Sequence, residues 1–145
     1  MMKSRKEIAK EKFLNGYNCA QAVFSAFAEK MDLAEGKALR IASGFGGGIS
    51  NLQQTCGAVT GAVMVIGYLN GKTKPEQSNQ ENYKLVREFI EEFEEQHSTI
   101  NCRELIEIDL NDEEELEEAR EKNLFEEKCL EFVTDAIEML ETKYL

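Results

Sequence analysis

The sequence predicts an all-α fold, a compact multi-helix single domain over residues 1–145 arranged around one small-residue central helix. Three observations lead there. The 145 residues include one proline and no tryptophan, and Glu, Lys, Leu and Ala, all good helix formers, fill long stretches. Apolar residues recur at three- and four-residue steps, and no segment shows convincing alternation. A hydrophobic content of 42% against 31% charged residues suits a globular chain of this length, which can bury a core without staples.

The elements follow in order. Lys3 to Leu14 reads as a first helix, ended by Asn15-Gly16. Asn18 can cap a second, from Cys19 to about Lys30, with Cys19, Val23, Ala26 and Phe27 along one face. A third, short helix covers roughly Ala34 to Ala42. Residues Ser43 to Ser50 contain four glycines and do not suit a regular helix. The central helix runs from Thr55 or Cys56 to Leu69, with Ser50 or Thr55 able to cap it and Asn70-Gly71 stopping it. Gly57 and Gly61, with Ala58 and Ala62, repeat every four residues and make a thin face for close packing. A fifth helix follows Pro75, with Tyr83, Val86, Ile90, Phe93 and His97 on one stripe. Asn101 can cap a short helix at Cys102, and Asn111 or Asp112 opens an acidic one through about Lys122. The last runs from about Glu126 to Thr142 and buries Phe125, Cys129, Phe132, Val133, Ala136 and Leu140.

Charge and hydropathy exclude some functions. The net charge of −11 is uneven, with +5 over residues 1–75 and −16 over residues 76–145. The acidic half repels nucleic acid and anionic lipid, so no nucleic-acid or membrane partner is expected. The most apolar stretch, Cys56 to Leu69, is too short to span a bilayer. The N-terminus is charged and lacks the apolar core of a signal peptide, which places the chain in the cytoplasm. The glycine loop shares Gly-x-Gly, at Gly44 and Gly46, with dinucleotide-binding turns. Ile49 takes the third glycine position, however, and no strand precedes the loop. An alternative use for Gly46, Gly47 and Gly48, with Gly57, is an anion nest of N–H groups beside a thiolate, a sulfide or a small oxyanion.

The chemistry-bearing residues are four lone cysteines, Cys19, Cys56, Cys102 and Cys129, separated by 37, 46 and 27 positions. Each lies near the start of an expected helix, where unpaired N–H groups and the helix dipole favour a thiolate. No Cys-x-x-Cys is present, so the local signatures of zinc ribbons, thioredoxin-like sites and attached haem are missing. Buried cysteine can also act as an inert small hydrophobe. His97, the single histidine, is read either as a helix-end residue or as a proton partner for Cys102. Arg103 is read as a pKa-lowering neighbour of Cys102 or as a partner of nearby glutamates.

Four singly spaced cysteines, the second in Cys56-Gly57-Ala58-x-x-Gly61 behind a glycine loop, resemble the C-GCAxxG-C-C family of redox-active proteins. Cys19 in Gly16-Tyr17-Asn18-Cys19-Ala20-Gln21 matches the first cysteine, Cys102 in Asn101-Cys102-Arg103 the third and Cys129 the fourth. The likeness spans about Lys6 to Leu140 and implies that all four cysteines form one redox site. Three functions stay open. The first is dithiol–disulfide exchange or electron transfer with a redox partner protein or a small electron donor or acceptor. Here Cys56 attacks and Cys102 resolves. The second is a Cys₄ site for zinc or an iron–sulfur cluster. The third is a non-enzymatic acidic interaction module. The oligomeric state is open, a homodimer included.

Overall fold

In the computed structural model, which describes residues 2–145, eight α-helices form the chain: α1 (Arg5–Leu14), α2 (Cys19–Ala26), α3 (Glu35–Ala42), α4 (Gly57–Asn70), α5 (Gln80–His97), α6 (Cys102–Ile106), α7 (Glu113–Glu121) and α8 (Leu130–Lys143). A 3₁₀ turn, Ser43–Phe45, follows α3, and a π-helical turn, Phe125–Cys129, leads into α8. Among the described residues the one strand-like pairing is a single antiparallel bridge, Thr55 to Asn101. The fold is all-α.

Local chemistry starts the helices. Ser4 accepts from the Glu7 N–H at 3.1 Å, and Asp112 accepts from those of Glu114 and Glu115. Asn18 and Gln21 form a reciprocal capping box at the start of α2. The same two side chains reach across the fold. Gln21 donates to the Leu39 carbonyl at 3.0 Å, and Asn18 donates to that of Ser43 at 3.1 Å. The cap therefore fixes where Cys19 lies relative to α3 and the glycine loop.

The core sits where α4 crosses α2, α5 and α8. Gly57, Ala58, Val59, Gly61, Ala62, Val65 and Ile66 of α4 are buried. Phe89 and Phe93 of α5 and Phe132, Val133, Ala136, Ile137 and Leu140 from α8 close the other sides. A Cβ on Gly61 would stand 3.1 Å from the Ala20 carbonyl oxygen and 3.1 Å from the Val23 Cβ. Gly61→Leu is therefore expected to destabilise by about 1–3 kcal/mol or more through overpacking, read from urea midpoints. An unchanged midpoint would show that the small-residue face is open.

Three boundaries differ from expectation. The α-helical part of α2 stops at Ala26 instead of reaching Lys30. The chain then turns with Asp32 left-handed at φ +49° and the Leu33 N–H bonded to the Ala28 carbonyl. Neither Ser50 nor Thr55 caps α4. The Ser50 hydroxyl is bonded to the Gly44 carbonyl, Thr55 pairs with Asn101, and Cys56 takes the cap position. Cys129 is not at a helix start, because helical backbone begins at Leu124 and Cys129 closes the π turn inside it.

Candidate thiol site

The walls of the site come from a left-handed turn. Gly47, Gly48, Ile49, Ser50 and Asn51 have successive φ values of +63°, +68°, +68°, +47° and +61°. The N–H groups of Ser50, Asn51, Gln53 and Gln54 return to the carbonyls of Gly44, Gly46, Gly47 and Gly48 at 2.8–3.0 Å. These donors close the loop on itself through the glycine segment's carbonyls. The loop also has a steric service. Gly48 lets the chain pass so close to Cys102 that a Cβ there would lie 2.7 Å from the Cys102 Cβ.

Two backbone bonds tie this loop to α6, from the Cys102 N–H to Gln54 at 2.6 Å and from the Arg103 N–H to Gln53 at 3.3 Å, and the Cys56 N–H donates to Ile100 at 2.8 Å just ahead of α6. With Thr55 opposite Asn101, Cys56 and Cys102 lie diagonally on one face of a minimal ladder.

All four cysteines nevertheless line one cavity of about 520 Å³, shared with Gly47, Gly48 and Gly57. Gly46 is outside it and packs against Asn18. Cys19 opens α2 and is half-buried, whereas Cys56, Cys102 and Cys129 are 4%, 8% and 8% exposed. Cys19 and Cys129 meet there closely enough for each thiol to shift the other's ionisation. Sequence separation contributes nothing to this meeting, since the two are 110 positions apart. Tertiary packing makes it: α1 holds both α2 and α8, with Arg5 to Glu141 at 3.0 Å and Lys6 to Glu138 at 3.1 Å bracing the outside.

Electrostatics separates the four thiols. Its neighbour Cys19 holds the Cys129 thiol below its ordinary value, against opposing burial and the charge of Glu126, with help from Lys128. Cys19 is correspondingly raised, first by Cys129 and then by burial and the charges of the other cysteines. Burial pushes Cys102 to about 11, with Cys129 adding to it. Burial likewise pushes Cys56 to about 12. The N–H groups of Ala58 and Val59 at the start of α4 do favour the Cys56 thiolate, as its position suggests, but desolvation is larger. The reading of Cys56 as the most acidic thiol is overturned for that reason.

The buried Cys56 couples stability to pH. In the unfolded chain it ionises near its ordinary value of 9.0, whereas the fold keeps it protonated to about 12. Between those values the unfolded state binds fewer protons, so stability, undiminished below pH 9, falls as pH rises. From pH 9 to about 10.5 this one group costs about 2 kcal/mol. Urea melts should show the parent losing that much more than Cys56→Ala over this interval. Equal slopes would mean the thiol ionises freely in the fold.

His97 and Arg103 stand apart from the thiols. The His97 Nε2 is 2.9 Å from an Asp135 carboxylate oxygen, and the ring packs on Phe93 and Phe132. Arg103 is exposed, with Asp109 at 3.7 Å. His97 thus takes the helix-end role, and Arg103 has an acidic partner other than a glutamate. Among the described residues no group of three or more His, Cys, Asp or Glu side chains is placed to hold a metal ion.

One supporting residue escaped the sequence reading. Buried Gln53 donates from Nε2 to the Ile108 carbonyl at 2.7 Å and accepts from the Leu110 N–H at 2.9 Å. It pins the segment after α6 against the left-handed turn. A glutamine next to a second glutamine in a loop carries no local signal of this, because both partners lie more than 50 positions away.

The family described as "Putative redox-active protein (C_GCAxxG_C_C)" has a model that matches residues 17–143. All four cysteines fall within the matched span. No curated protein and no solved structure was found to match the chain. Among the described residues no helix is long and apolar enough to cross a membrane.

Proposed function

The chain belongs to the C_GCAxxG_C_C family, and we propose that its redox chemistry is dithiol–disulfide exchange at the Cys19–Cys129 pair. The convergence of the four cysteines on one cavity carries the reading, with Cys19 the least buried of them and Cys129 the one whose thiol Cys19 holds below its ordinary value. The Cys129 thiolate attacks one sulfur of a substrate disulfide, breaking the S–S bond and releasing the first substrate thiolate. Cys19 then loses its proton and attacks the Cys129 sulfur. The mixed disulfide breaks, the second substrate thiolate leaves, and a Cys19–Cys129 disulfide remains. Two electrons pass to the substrate, which takes up protons as two thiols. Cys56 and Cys102 stay protonated beneath the pair, where burial keeps them poor nucleophiles at neutral pH.

Anaerobically reduced protein, titrated with a small disulfide, should consume two thiols and leave two. Peptide mapping should then place the new bond between Cys19 and Cys129. A Cys56–Cys102 product, or protein that carries iron or zinc on all four sulfurs, would reject the assignment.

A further inference from the structure

The space above the thiols has a chemical character of its own. Its wall includes Phe13, Leu14, Leu110, Leu116, Phe125 and Phe132, an apolar lining that aromatic or branched groups fill. Two side chains of opposite charge interrupt it, Arg120 from α7 and Glu126 from the π turn. Glu126 sits near Cys129, where its charge opposes a second anion. Arg120 is exposed at the wall, and among the described residues no carboxylate stands within ion-pairing distance of it. Its neighbour Lys122, by contrast, is held by Glu118 at 2.7 Å and takes no part in the cavity. An unpaired guanidinium on an otherwise strongly acidic helix is left free for an incoming anion.

Access narrows the choice further. Cys129 is 8% exposed and lies within a cavity of about 520 Å³, a volume suited to a small organic molecule. A disulfide carried on a folded protein brings too much bulk to reach it. Resting on the dithiol reading above, we propose that the substrate is a low-molecular-weight disulfide with an apolar, preferably aromatic, body and one carboxylate. The body occupies the cavity and the carboxylate binds Arg120.

The test compares three small disulfides on reduced full-length protein, followed by stopped-flow absorbance or thiol release. 5,5′-Dithiobis(2-nitrobenzoate) is aromatic and anionic, 4,4′-dithiodipyridine is aromatic and neutral, and cystamine is small and dicationic. Arg120→Gln should slow the anionic reagent about tenfold, the effect of one charge-assisted hydrogen bond, and change the neutral one by less than about twofold. Lys122→Gln makes the same charge change outside the cavity and should alter neither rate by more than about twofold. Equal slowing by the two variants would reduce the effect to bulk charge and overturn the proposal. So would faster reaction with cystamine, which would assign recognition to Glu126, or reduction of insulin disulfides as fast as the small reagents. If no reagent yields the Cys19–Cys129 bond, the dithiol reading itself fails. If the bond forms without any dependence on Arg120, only the substrate class is wrong.

Discussion

Gly48→Ala is expected to destabilise the fold by about 3 kcal/mol or more, while Gly67→Ala should stabilise it by about 0.5–1 kcal/mol. The opposite signs come from two separate causes. Gly48 has φ +68°, a conformation that costs an L-residue about 1–2 kcal/mol. A Cβ there would also lie 2.7 Å from the Gln54 nitrogen, 2.8 Å from the Gln53 Cα and 2.7 Å from the Cys102 Cβ. Two of these are backbone atoms, fixed by the bonds of Gln54 to Gly48 and Cys102 and of Gln53 to Gly47 and Arg103, so relief means moving the whole turn. Gly67 is in the interior of α4 with nothing within 4 Å of an added Cβ, and alanine there gains helix propensity without a clash. Urea midpoints for the two variants check the pair. A Gly48→Ala protein as stable as the parent would show that the turn and α6 slide freely past one another.

The same contrast explains how much of the molecule was legible in the sequence. Helices were, because their signals are local. The stripe in α5 and the caps at Asn18, Asn101 and Asp112 all involve residues within a few positions of one another. The glycine loop was recognisable as non-helical, but not as a left-handed turn, since Ile49, Ser50, Asn51 and Gln53 are not residues that advertise positive φ as a group. Its hydrogen bonds follow from that handedness, since the N–H groups of Ser50, Asn51, Gln53 and Gln54 turn back to the glycine carbonyls. Within the site, the four cysteines were visible and their ranking was not. Position at a helix start can be read from sequence, and Ala58 and Val59 do act on Cys56 as that position implies. Burial cannot be read in the same way, and it decides the outcome. Cys129 shows the converse. Its neighbours Glu126 and Glu131 suggest a discouraged thiolate, while the group that favours it, Cys19, lies 110 positions away.

In reduced protein, Cys129 is expected to react with iodoacetamide before the other three cysteines, at a rate at least about tenfold that of Cys102. The magnitude follows from two opposing effects. Cys19 holds the Cys129 thiol below its ordinary value while burial pushes Cys102 to about 11, so at neutral pH the thiolate is far more populated at Cys129. A more acidic thiolate is a weaker nucleophile, with a Brønsted slope of about 0.4–0.5, which removes roughly half of that advantage on a logarithmic scale. The two thiols are equally exposed, at 8%, so access does not reverse the order. As pH rises, the Cys129 rate should climb through a midpoint below that of an ordinary cysteine thiol and then level off. Cys19→Ala removes the group that holds that midpoint down, so the curve should shift to higher pH and labelling at neutral pH should slow. Cys56→Ala should leave the midpoint almost where it was, because Cys19 still faces Cys129 and Cys56 is not among the groups that shift it. Peptide mapping at early times reads the order, and the pH series on the Cys19→Ala protein reads the cause. First labelling at Cys102 or Cys56 would sink the ranking, and an unmoved midpoint in Cys19→Ala would show that Cys19 does not shift the ionisation of Cys129.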